Sequence, residues 1–138
     1  MIRFTVVVLA LVTVCAATSK PRPVRPRPPP VLGGWRDVDP NSSPEYLELA
    51  HFAVGSQTRG LEYYNTVVEV TRARQQVVSG MKYRLTLTVV PSTCKVGEAE
   101  YSRDLCLPQP DAPTKRCRAQ LYVVPWQNKK QVTSFRCR

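Results

Sequence analysis

The side chains able to do chemistry in this 138-residue chain are few, and its five cysteines are the most informative of them. Cys15 falls inside an apolar leader, which leaves Cys94, Cys106, Cys117 and Cys137. An even set of cysteines behind an export leader reads as two disulfides, for which three pairings are formally open. Zinc is the competing use of four cysteines, but the chain has no CxxC pair, and oxidation is the expected fate. No metal or cofactor is therefore expected. Its one histidine, His51, sits between Ala50 and Phe52 with no partner motif and reads as a packed or surface imidazole rather than a catalytic base. Glu98 and Glu100 are close in sequence but fall in an irregular stretch, where solvated carboxylates are the default. With no GxSxG, HExxH, GxGxxG or P-loop pattern either, the chain is not expected to be an enzyme.

The elements that position these residues begin with a leader. Arg3, the apolar run from Phe4 to Val14 and the small residues Cys15 to Ser19 form a secretory signal, residues 1–17, cut after Ala16, Ala17 or Ser19. The run is about half of the roughly 20 residues that a membrane span needs. The chain carries 20 basic and 10 acidic side chains, and losing residues 1–17 removes only Arg3, so the product is exported, extracellular and strongly cationic. Residues 18–30 then form a flexible tail: Lys20 to Pro30 reads KPRPVRPRPPP, extended and without apolar periodicity. This tail is a spacer or a weak handle for anionic glycans through residues 20–30; no nucleic acid is expected as partner.

Residues 31–138 read as one domain. Ser43 and Pro44 are helix-start signals, and from Glu45 to about Ser56 the residues Tyr46, Leu49, Ala50, Ala53 and Val54 recur at helical spacing. Tyr63 to Gln75 is rich in Tyr, Val and Thr, and Met81 to Val89 alternates strictly between apolar and polar. These two strands flank Gln76, Val77, Val78, Ser79 and Gly80 as a hairpin, with Gly80 free to take a positive dihedral. A second hairpin joins Arg118–Val124 to Val132–Arg136 across Pro125 to Lys129. Its centre near residue 127 is also the midpoint of Cys117 and Cys137, which places these two within disulfide reach. The nearest-neighbour pairing follows, with Cys94 and Cys106 stapling an irregular segment from Pro91 to Lys115. The expected architecture is α+β: four or five antiparallel strands packed on one helix.

In order and context, these features resemble the type 2 cystatins, secreted two-disulfide inhibitors of cysteine proteases. The resemblance rests on Gly33 and Gly34 after a mobile tail, QVVSG at Gln76 to Gly80, Pro125 and Trp126 in the second hairpin, and the spacing of the four cysteines. It implies a cystatin-like domain that inhibits papain-like proteases of the cathepsin L, S, B and C type reversibly and tightly; a monomer is expected. By this resemblance Gly33, Gln76, Val77, Val78, Ser79, Gly80, Pro125 and Trp126 form a wedge that covers the catalytic cysteine without offering it a peptide bond. Val31 and Leu32 would enter the substrate-side pockets, and the glycines would give the bend.

One departure carries a prediction. Some type 2 cystatins block legumain-type proteases through an Asn in the loop after the helix, whereas Ser56 to Gly60 reads SQTRG here and Asn65 falls in a strand. The purified chain should leave a legumain-type protease uninhibited; nanomolar inhibition in a peptide-cleavage assay would refute this.

Overall fold

In the structure, a computed structural model that describes residues 15–17, 19–23 and 34–138, the helix starts where its caps require. Helix α1 spans Pro44–Gly55, and the Ser43 hydroxyl accepts a hydrogen bond from the Glu45 amide at 3.2 Å. Pro44 opens the first turn, where its missing N–H costs nothing. Tyr46, Leu49, Ala50, His51, Ala53 and Val54 are its buried residues. Most of the expected leader, much of the proline-rich tail, and Val31, Leu32 and Gly33 lie outside the described residues.

Five antiparallel strands, β1 Arg36–Val38, β2 Tyr63–Val78, β3 Gly80–Lys95, β4 Lys115–Val124 and β5 Lys129–Cys137, form one sheet in chain order. One face packs on α1 through Ala73, Leu85, Leu87, Ala119 and Leu121, each no more than 2 % exposed. Register slips between Tyr63 and Asn65, Val67 and Glu69, and Val70 and Arg72 put irregularities into β2, which bend and twist a strand.

The structure corrects several expected boundaries. The first hairpin has a shorter tip, because Gln76, Val77 and Val78 continue the ladder opposite Lys82, Met81 and Gly80, so only Ser79 lies between the strands. Strand β3 runs on through Pro91 to Lys95, where an irregular segment was expected from Pro91. Pro91 stands opposite Asn65, beside a register slip, where a residue without an N–H is tolerated. In the second hairpin β5 begins at Lys129 rather than Val132. Strand β1, paired with β2 from Arg36 opposite Gln75 to Val38 opposite Ala73, is the fifth strand.

The disulfides join Cys94 to Cys106 and Cys117 to Cys137, with Cα separations of 5.2 and 4.0 Å. Cys117 and Cys137 are register partners across β4 and β5. Closing a loop of this size contributes on the order of 3 kcal/mol by constraining the unfolded chain. The other bridge holds the segment after β3 against its end, where the Thr93 amide donates to the Leu107 carbonyl at 2.9 Å and the Gln109 side-chain amide to the Ser92 carbonyl at 2.8 Å.

His51 is packed, as one of its two expected readings had it. Its Nδ1 lies 2.5 Å from the Tyr101 hydroxyl, which lies 3.1 Å from the Thr66 hydroxyl, so one polar chain links α1, the stapled segment and β2. Burial, helped by Arg103 and opposed by Asp104, lowers the His51 pKa below its ordinary 6.5. As pH falls, the unfolded chain then takes up this proton before the folded chain does. Stability from this site is complete above pH 6.5 and lost progressively as pH falls through the lowered folded value. Between pH 7.5 and 5 the melting temperature should fall further for the wild type than for His51→Gln; parallel curves would show that His51 is not the cause.

Candidate functional site

The two hairpin tips lie side by side because β3 and β4 are paired up to Met81 opposite Val123. Beyond that pair, the β2–β3 tip turns at Ser79, while β4 leads through Val124 into a 3-10 turn, Pro125–Gln127. That turn closes with the Asn128 amide donating to the Pro125 carbonyl at 3.1 Å and with Asn128 in the left-handed region, at φ 49°. Val124 then stands opposite Lys129, where β5 begins.

Gly80 makes this approach possible. Its φ is +112°, and a Cβ placed there would sit 2.8 Å from the Val123 carbonyl oxygen and 3.1 Å from the Tyr122 ring. No side chain fits without moving backbone. Tyr122 adds a tie across the same gap, its hydroxyl donating a hydrogen bond to the Ser79 carbonyl. The apex of one tip is thereby fixed by the strand that leads into the other.

The seven expected contact residues that are described, Gln76, Val77, Val78, Ser79, Gly80, Pro125 and Trp126, thus fall at one end of the sheet. Val77 is 59 %, Val78 36 % and Trp126 68 % exposed. They are three of the seven large apolar side chains exposed among the described residues, and the other four, Phe52, Val68, Leu105 and Leu107, lie elsewhere. Gly33 is outside the described residues. The register of β1 carries the chain before Arg36 alongside Gln76, towards the same end. Sequence reasoning missed Tyr122, whose role depends on a contact 43 residues away that no local pattern signals.

A cystatin-domain profile matches residues 33–126. The chain belongs to the cystatin family. Cystatin-1 of Ornithodoros moubata is 57 % identical over 137 residues, covering 99 % of each chain. Mialostatin of Ixodes ricinus is 41 % identical, covering 95 % of this chain and 91 % of the other. The crystal structure of a salivary cystatin from the soft tick Ornithodoros moubata superposes with a TM-score of 0.73 at 51 % identity, covering 77 % of this cystatin and 97 % of that chain. Cystatins are inhibitors of cysteine proteases and not enzymes, and so is this one.

The close approach at Gly80 yields a prediction. Gly80→Ala must either hold an unfavourable φ or push β4 away, and strain of this kind costs about 1–3 kcal/mol. Urea unfolding should show a loss in that range; an unchanged midpoint would mean that the tip does not depend on this glycine.

Proposed function

We propose that this cystatin is exported and inhibits papain-like cysteine proteases of the cathepsin L, S, B and C type by seating its tip end in the active-site cleft. The observation that carries the reading is the pair of adjacent, apolar, cross-tied tips, with Val77 and Trp126 both more than half exposed. A backbone held this way loses little freedom on docking, so more of the contact energy appears as affinity. Val77, Val78, Ser79 and Gly80 are small or aliphatic and let backbone approach the cleft wall, while Trp126 presents a large rigid surface. Gln76 and Pro125 flank the two apices, and Gly33, with Val31 and Leu32 before it, completes the wedge from the N-terminal side. Blocking the cleft in this way needs no bond to be made or broken. Inhibition is then reversible and competitive with substrate.

In this reading residues 1–17 are the export signal, residues 18–30 a tail outside the wedge, and residues 31–138 a monomeric inhibitor. No described helix is long and apolar enough to cross a membrane.

The test is the rate at which papain and cathepsin L cleave a fluorogenic peptide, titrated with the refolded chain and with Gln76→Ala/Trp126→Ala. An interface anchor contributes about 2 kcal/mol or more, so the inhibition constant of the double variant should rise at least about 30-fold. Equal constants would remove the tips from the contact. No inhibition by the wild type, with both disulfides intact, would leave the fold and sink this reading.

A further inference from the structure

The face of the sheet turned away from α1 carries seven arginines that the proposed wedge does not use. Strand β2 supplies Arg72 and Arg74, β3 Arg84, β4 Arg116 and Arg118, and β5 Arg136, with Arg138 just beyond it; together they line one groove of about 530 Å³. The register sets them in rows across the strands. Arg74 stands opposite Arg84, and Arg84 opposite Gln120; in the next row Arg72, Thr86, Arg118 and Arg136 follow one another. Strands lie about 4.8 Å apart and alternate residues about 6.6 Å apart, so the rows form a close cationic grid.

Acidic side chains barely offset this charge. Asp37 takes both Arg72, at 3.1 Å, and Arg74, at 3.4 Å. Glu69 lies two strands from Arg116 in the register and joins no ion pair. Among the described residues no carboxylate lies within ion-pair distance of the other five arginines. Two pairs, Arg74 with Arg84 and Arg118 with Arg136, stand directly opposite each other, and like charges so placed destabilise a sheet.

We propose that this face binds a linear sulfated polysaccharide. Arginine forks match tetrahedral oxyanions bidentately, and a chain of repeating sulfates can engage several rows at once. The groove offers no free aromatic platform on which bases could stack, since Arg84 covers the ring of Trp35 at 4.1 Å; this disfavours single-stranded nucleic acid. It also lacks the exposed apolar anchor expected of a protein partner, because Leu85 and Ala119, the apolar residues that line it, are buried in the core packed on α1. The Arg72–Arg118–Arg136 row crosses β3 at Thr86, six residues from Gly80, or about 20 Å along the strand, so a glycan and a protease can be held together.

Calorimetric titration with a size-defined heparin oligosaccharide at 150 mM NaCl tests this. The variant Arg116→Gln/Arg118→Gln/Arg136→Gln should bind at least about tenfold more weakly, the worth of one charge-assisted hydrogen bond. It should inhibit papain like the wild type and melt no lower, since a like-charge pair has been removed. The single variants Arg118→Gln and Arg136→Gln should each weaken binding by a smaller factor. A chain lacking residues 18–30 should keep most of the affinity. Undiminished binding by the triple variant, loss of binding on deleting the tail alone, or equal affinity for a single-stranded oligonucleotide of the same charge would each overturn the proposal.

Discussion

The contact on which the arrangement of the two hairpin tips depends is the approach of the Gly80 backbone to the Val123 carbonyl. Two hairpins can share a sheet and still splay at their tips, because the last residues of a hairpin have partners on one side only. Here the missing side chain at residue 80 lets β4 come close enough for Tyr122 to reach the Ser79 carbonyl, which ties the first tip to the strand that leads into the second. The Cys117–Cys137 bridge acts at the opposite end of the second hairpin and fixes its register from there. Between these restraints the order of the apolar residues on the two apices is set by strand geometry rather than by loop flexibility.

The helix and both disulfides were legible because each has a local or arithmetic signature. Ser43 and Pro44 mark a start, the spacing of Tyr46 to Val54 marks a face, and the shared midpoint of the second hairpin and its cysteines fixes a pairing. The strict alternation from Met81 to Val89 likewise marked the buried face of β3. Strand ends were read less well. Gln76 to Val78 look like a loop in isolation, and only the turn that Gly80 permits lets the ladder continue to within one residue of the apex. Pro91 reads as a breaker until the slip in β2 opposite it is known. Three-residue β1 has no periodicity of its own and exists because β2 offers it an edge.

Of the proposed wedge, the residues at the tips could be named from the sequence, and their mutual support could not. Val77, Trp126 and their neighbours can be named from the sequence, whereas Tyr122 holds an apex 43 residues away. The arginine grid is hidden for the same reason. Its members are spread from residue 72 to residue 138, all but Arg138 within strands, and each reads as an ordinary solvated charge. Only the register stacks them into rows.

The placement of charge also bears on the sheet's exposed edges. An unpaired edge strand is a template for pairing with another chain, and proteins blunt it by shortness or by charge. Strand β1 is three residues long, two of them Arg36 and Asp37, and β5 carries Lys129, Lys130 and Arg136. The two edges are thus protected by different means, and the apolar surface at the tips lies between them rather than on either one. If Trp126 and Val77 contact a protease as proposed, that exposed surface has to be kept from meeting its own copies. Flanking it with one very short edge and one positively charged edge leaves the tips exposed while disfavouring edge-to-edge association.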